Sequence, residues 1–538
     1  MTRKRCLLVL WVAAAARGFA PAPVARLRQA SALRPKALPS ETKGGLLIDW
    51  PDAIGDSCEV DYADGARPDG AATFAAGALI AGTTVGAGIL ALPATTLPTG
   101  FVPSAAVLVA AWAYMGASGL LIAETTVNVV CELRRPGLGL LATAERVLGQ
   151  RAAAAAGLAY VFIHYALLVA YLDKGGAGLL PPLAALARAP ELASAAPPAA
   201  GAALFAAGLG GFLFVGAPSA IEAANSAAVL ALVVAFGALL AIGAPGVEPA
   251  RLLARADWSA APATVPIAIL SLVFHNVVPV VATRLRGDAA AIRAAVLGGS
   301  AVPLVMFLLW NAVILGNVDD ATARDAVAAA AAGGGVVFDP LEALRAGAAG
   351  NAGDSGALAV AVAAFSELAV ITSFVGFVVG LRDFYTDLLD DDAELDGGGL
   401  DEDGLDGGAL DAELAVAGDA PGGAATLTGA AREVALFAII LGPPLGVVAL
   451  GGSSIFFKAL DVAGTFGIST LFGILPAAMA WQQRYGEGGA APAPGARVLA
   501  TPPSVPGGRV ALALVVGVAL VIVGDGTVEL VESFVAAP

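Results

Sequence analysis

Apolar runs of about 17–25 residues recur along the chain between short polar connections, and each is long enough to cross a bilayer as a helix. The pattern predicts eleven spans: Thr73–Leu97, Pro103–Val130, Ala155–Tyr171, Ala199–Val215, Ala227–Ile242, Val265–Ala282, Ala295–Leu315, Ala357–Leu381, Glu433–Leu450, Ile455–Trp481 and a short Val510–Val523. Two runs are interrupted. The first contains Gly82-Thr83-Thr84-Val85-Gly86-Ala87-Gly88; the sixth is broken at His275-Asn276 and closed by Pro279. Glycines and polar groups in hydrocarbon are tolerable only where protein or a water-filled cavity satisfies the freed backbone. Interruptions at corresponding places in two halves of a membrane protein point to the central site of a carrier. Their spacing predicts an all-α polytopic membrane protein with a five-plus-five inverted repeat, residues 73–242 and 263–481, followed by an eleventh helix at 510–523.

Composition agrees with this pattern. The chain is 58% hydrophobic and 14% charged, with a mean hydropathy of +0.82, too apolar for a soluble globule of its length. The net charge of −15 is local: Asp383 to Asp419 holds fourteen Asp or Glu and no Lys or Arg. That stretch, rich in Gly as well (GLDEDGLDGG), cannot build a core, and the loop 383–420 is expected to be disordered. It lacks the spacing of a calcium-binding EF-hand loop. Cys6, Cys58 and Cys131 form no paired framework or metal spacing, so no structural disulfide is expected. No zinc spacing, P-loop or dinucleotide fingerprint is present, which disfavours ATP-driven transport by this chain alone. Neither a cofactor, a metal nor a nucleic-acid partner is expected.

The first forty residues hold eight Lys or Arg and no acid. Arg3-Lys4-Arg5 precedes an apolar run from Cys6 to Ala16 of signal-peptide length, and an Arg/Ala/Ser stretch continues to Ser40. Phe19-Ala20-Pro21 resembles the Phe-led junction in the bipartite presequences of algae with complex plastids, although Arg17-Gly18 departs from that pattern's small residues. The expectation is a plastid-envelope protein with a presequence at 1–40 and an acidic, disordered tail at 41–72. An ordinary secretory signal, leading to the secretory pathway or plasma membrane, is the alternative. Basic loop residues, among them Arg134, Arg135, Arg146, Arg284, Arg286, Arg293 and Arg382, place the mature N-terminus inside.

An unwound helix at the bilayer midplane exposes N–H groups at one half-helix start and C=O groups at the other's end. These suit a carboxylate and an ammonium respectively. Gly82, Gly86, Ala87 and Gly88 permit that conformation, and Thr83 and Thr84 carry hydroxyls, although a Gly-rich span also serves close helix packing. His275 sits at the sixth-span break beside Asn276. An ionisable group there is a candidate for substrate or proton handling, since histidine titrates near neutral pH. Glu124 and Glu367 need partners or protonation in lipid and are further proton candidates. Ser366, Thr372 and Ser373 share the eighth span, where hydroxyls also bond back to their own helix. His164 reads as a helix-to-helix contact, and Asp173-Lys174 as a snorkelling pair at the foot of the third span.

The stretches GALIAGTTVGAGILALP, LLVAYLDKGG, VPIAILSLVFHNVVPVVATRLRGD with IRAAVLGGSAVPLVMFLLW, and FSELAVITSFVGFVVGLRDFYTDLL resemble the tryptophan/tyrosine permease family. LLIAETTVNVVCEL resembles its plant-type members. The resemblance runs from about Thr73 to Trp481. It implies a LeuT-like fold of the amino acid–polyamine–organocation type and proton-coupled movement of an aromatic amino acid. The family's first-helix motif falls on Gly82–Gly88 and its sixth-helix motif on His275 and Asn276. Val273 and Phe274 stand where the family often has a second polar or aromatic residue.

Rivals from other classes have weaker support. Gly116-Ala117-Ser118-Gly119 matches the Gly-x-Ser-Gly of rhomboid-type intramembrane proteases, with Ser118 as nucleophile. Nucleophilic catalysis needs a base within reach, and the fourth span, where that pattern puts its histidine, has none. A channel would want a repeated pore lining or a ring of charge, and neither is present in the sequence. A carrier of another small neutral amino acid without proton coupling is the nearer alternative.

Overall fold

The computed structural model describes residues 46–48, 58–60, 68–133 except 87, 137–189, 196–319, 354–396, 423–451, 455–486 and 501–535, with a few isolated positions besides. The expected presequence and the acidic stretch beyond residue 396 lie outside the described residues. Among the described residues, nine helices are long and apolar enough to cross a membrane. The bent pair Gly70–Thr84 and Gly88–Thr96 makes a tenth span, and the shorter Ala199–Val215 occupies the fourth position. In chain order the others are Phe101–Leu133, Gln150–Leu186, Pro218–Gly243, Ala261–Arg284, Ala289–Asn317, Asp354–Asp396, Gly423–Gly451, Ile455–Tyr485 and Gly508–Val535.

Local chemistry sets several of these ends. Asp69 caps the first span, its Oδ1 accepting from Ala72 N at 2.7 Å, and Asp288 caps the seventh by accepting from Ala290 N and Ala291 N. Each cap satisfies N–H groups that have no partner within the helix. Pro218 opens the fifth span, where its missing N–H costs nothing. Gly100 turns the chain between the first two spans at φ +86, and a Cβ there would lie 2.0 Å from Arg255 O.

Four sequence expectations need correction. The acidic tail is not wholly irregular, because Leu46–Ile48 and Cys58–Val60 pair as two antiparallel strands and the first helix begins at Gly70. The eighth helix runs on to Asp396, so the acidic loop begins about fourteen residues later than expected. The eleventh helix is twice its expected length because Asp525, Glu529 and Glu532 end the apolar run without ending the helix. Cys131 is disulfide-bonded, against the expectation of none, and the strand bearing Cys58 packs on the same span.

The packing of spans has an exchange symmetry. The first packs on the seventh and, correspondingly, the sixth on the second; the fifth packs on the eighth and the tenth on the third. Contacts between spans one and six, two and seven, three and eight, and four and nine map onto themselves. This is the five-plus-five repeat, with a break in the leading helix of each half. The sixth and tenth spans are central, 67% and 72% buried along their apolar windows, whereas the fifth and eleventh, at 22% and 17%, are peripheral.

Buried polar links tie the first, second and seventh spans together. Thr96 Oγ1 donates to Asn311 Oδ1 at 2.8 Å, Asn311 Nδ2 donates to Ser104 Oγ at 3.4 Å, and Trp112 Nε1 donates to Ser300 Oγ at 2.9 Å. The first and seventh helices approach to backbone contact, since a Cβ on Gly299 would meet Gly77 O at 2.4 Å.

Candidate functional site

The first span stops being helical after Thr84 and resumes at Gly88, with 59° between the halves. The break lies between Thr84 and Gly88, narrower than the sequence suggested. Gly82 and Thr83 remain on the helix and are exposed. The hydroxyls of Thr83 and Thr84 donate back to Leu79 O and Ile80 O at 2.8 and 2.7 Å, the self-satisfaction that helical threonines commonly show. Gly82 and Thr83 therefore leave the candidate site, and Thr84 stays at its edge, buried. Ala87 is outside the described residues.

The sixth span breaks for a reason visible in its residues. In an α-helix the carbonyl of His275 would accept from residue 279, which is proline and has no N–H. The chain instead leaves the helix after Ser271, passes Phe274 at φ −139 and ψ 6, and forms a 3-10 turn over His275–Val277. Val278 N then donates to His275 O. Helix resumes at Val278–Arg284.

The two breaks meet. A Cβ on Gly88 would stand 2.8 Å from Ser271 Oγ and 3.0 Å from Ser271 Cα, and one on Gly86 would stand 2.9 Å from Ser373 Oγ. Only glycine lets the first span approach the sixth and eighth this closely. The Ser373 hydroxyl is hydrogen-bonded to Tyr171, a buried residue of the third span whose ring meets Phe377 edge-on at 5.5 Å. Glycine backbone, two serines and a tyrosine from four spans thus converge at the break. Ser366 and Thr372 do not join them: their hydroxyls donate to Val362 O and Leu368 O on their own helix.

His275 is fully buried. Its ring lies between Phe274 and Phe472, 4.7 Å from each centroid and within 25° of parallel to both, with a backbone group of Met115 beside it. Neither ring nitrogen makes a hydrogen bond within normal limits. A buried polar atom left this way costs about 1–3 kcal/mol, which marks the ring as a candidate for a polar partner brought by a ligand or water. Asn276, the neighbouring candidate, is exposed.

The remaining candidates have structural roles. Glu124 is no free proton site: Arg484 Nε and Nη2 donate to its two oxygens at 2.7 and 2.6 Å, and Ser504 N donates at 2.6 Å. Asn128 and Gln483 extend this network one turn further along, Asn128 Nδ2 donating to Gln483 Oε1 at 2.9 Å. Glu367 is half-buried, its carboxylate seated against Gly178 of the third span. His164 Nδ1 donates to Tyr160 O at 2.8 Å and the ring packs on Tyr160 and Phe377. Asp173 and Lys174 are not at a helix foot, because the third span continues to Leu186, and Lys174 Nζ lies 5.5 Å from the Phe456 ring centroid.

Ser118 has no catalytic base as its partner. Its hydroxyl donates to Phe472 O, whose α-helical partner would be residue 476, a proline. That corrects the protease alternative. Among the described residues, no group of three or more His, Cys, Asp or Glu is placed to hold a metal ion. Sequence reading missed Ser271, Tyr171 and Phe472. Ser271 alone carried a local signal, as the last residue before a break.

The model of the tryptophan/tyrosine permease family matches residues 70–398. Tyrosine-specific transport system 1 of Haemophilus influenzae is 28% identical over 305 residues, 56% of this chain and 70% of that one. A tryptophan-specific transport protein of the same organism is 28% identical over 318 residues, 58% and 72% of the two chains. One of Pseudomonas aeruginosa is 27% identical over 308 residues, 56% and 69%. The likeness to a solved manganese transporter of Eremococcus coleocola is slight, with 15% identity and a TM-score of 0.37 over 87% of this chain and 96% of that one.

Proposed function

Because the chain belongs to the tryptophan/tyrosine permease family, we propose that it carries aromatic amino acids, tyrosine or tryptophan, across its membrane by alternating access around the junction of the first and sixth spans. It is an integral membrane permease and not an enzyme. The observation that carries the proposal is the meeting of the two helix breaks at Gly88 and Ser271, with the buried ring of His275 in the same sixth-span break. The half-helix beginning at Gly88 presents N–H groups to a substrate carboxylate, and the half-helix ending at Ser271 presents carbonyls to its ammonium. Tyr171 and Ser373 add hydroxyls beside Gly86. The names of the relatives, tyrosine- and tryptophan-specific transport proteins, support an aromatic substrate.

Proton coupling belongs to the same reading. His275 is an ionisable side chain enclosed in the sixth-span break, and such a group can link substrate release to proton movement when substrate and water change its surroundings. The basic, acid-free residues 1–40 support the plastid envelope as its location, where such a carrier would export amino acids made inside.

The test is uptake of labelled tyrosine, tryptophan, phenylalanine and leucine into proteoliposomes of the full chain, with and without an imposed proton gradient. Saturable, gradient-stimulated aromatic uptake that collapses in His275→Ala is the expected result. Uptake indifferent to the gradient removes proton coupling. No uptake of any of the four by folded protein removes the substrate class.

A further inference from the structure

We propose that Phe472 of the tenth span is the residue by which the site distinguishes an aromatic side chain from an aliphatic one, an inference that rests on the carrier reading above. The His275 imidazole occupies a flat slot between Phe274 and Phe472, stacked at 4.7 Å on both sides. Two parallel aromatic walls at this spacing fit one flat ring. The present occupant suits the slot in shape but not in chemistry, because neither nitrogen makes a hydrogen bond within normal limits, the backbone of Met115 lying beside the ring. A substrate's apolar ring satisfies the same walls without that penalty. Displaced from the slot, the imidazole regains partners in water or in the substrate's polar groups.

The two walls differ in how firmly they are held. Phe274 rests on the second span, where a Cβ on Gly119 would stand 2.7 Å from its ring. Phe472 lies in a stretch, Ala463–Ile474, that has given up the ordinary helical ladder for wider turns, a feature frequent at functional sites. Its carbonyl is held by Ser118 of another span. With its backbone pinned there, it is the Phe472 side chain, on the widened stretch, that turns to admit a ring and then stacks on it, while Phe274 is the wall backed by the second span. An aliphatic side chain gains no stacking from either wall.

The experiment compares aromatic and leucine uptake by full-length wild type, Phe472→Leu and Phe472→Tyr in proteoliposomes, with folding checked by thermal melting in detergent. Phe472→Leu is expected to lower the tyrosine-to-leucine ratio of kcat/KM about fivefold, through KM for tyrosine, with leucine uptake nearly unchanged. Phe472→Tyr restores the ratio. Should Phe472→Leu melt far below wild type, Phe472→Met, whose unbranched side chain adapts to an irregular gap, is read in its place. Equal losses for all substrates, leaving the ratio intact, overturn the proposal and make Phe472 a packing residue. If wild type carries no aromatic amino acid at all, the carrier reading fails first and this inference with it.

Discussion

Replacing Arg484 by methionine removes the charge that holds Glu124 and leaves a similar length of apolar chain. In the native protein the two side chains are 3% and 0% exposed, and the carboxylate accepts two guanidinium hydrogen bonds and one from Ser504 N. After the substitution a single backbone donor faces a carboxylate in a site closed to water. Breaking a buried pair on one side costs about 3–5 kcal/mol, because the remaining charge stays desolvated. Glu124→Gln should cost somewhat less, since the amide oxygen still accepts a guanidinium hydrogen bond, although the guanidinium, whose Nη1 is already unpartnered, loses its counter-charge. The double variant should recover a large part of the loss, giving a coupling of about 2 kcal/mol or more in the cycle. Unfolding free energies from denaturing-detergent titration in mixed micelles measure all four corners. Single costs below about 1 kcal/mol that simply add would show that water reaches the pair, and would refute the reasoning.

Three further outcomes are expected. Gly88→Ala pushes a methyl to within 2.8 Å of Ser271 Oγ and should abolish uptake in proteoliposomes while the protein still melts cooperatively; full activity would detach the junction from transport. Gly176→Ala drives a methyl into the Gly201–Ala202 backbone of the fourth span, which cannot swing aside, whereas Gly82→Ala meets nothing within 4 Å; the first should destabilise by several kcal/mol and the second stabilise by up to about 1 kcal/mol through helix propensity, both read by unfolding titration. Ser118→Ala leaves the Phe472 carbonyl without its donor and should cost about 1–3 kcal/mol of stability with uptake retained, whereas a nucleophile's loss would abolish any hydrolysis measured beside it.

Hydropathy located the spans because lipid imposes a length on every crossing, and the breaks showed because glycine and proline act locally. What lay hidden was pairing across long stretches of chain. Glu124 meets an arginine 360 positions away, and His275 meets Phe472 from another span. Neither pair leaves a trace in the neighbouring residues. Thr83 read as a site residue because a hydroxyl beside a glycine looks functional, but helix phase turns it outward and its own helix bonds it. The third span read short because Asp173-Lys174-Gly175-Gly176 looks like an exit. The helix continues there because the glycines accept Phe205 and the Gly201–Ala202 backbone of the fourth span in close contact.

The wide turns of the tenth helix have a mechanical consequence. At their first residues, Gly464 lies against Pro266 so closely that a Cβ would meet its carbonyl at 2.3 Å; beyond their last, Arg484 is clamped to Glu124. In a regular helix each residue advances the direction of the next by about 100°. Deleting one residue between the clamps would swing the second clamp round by that angle, away from its carboxylate. The helix is thus wound between two fixed ends, like a torsion bar, and Phe472 rides on the twisted section. Any torque released when one clamp lets go would be delivered as rotation at that ring.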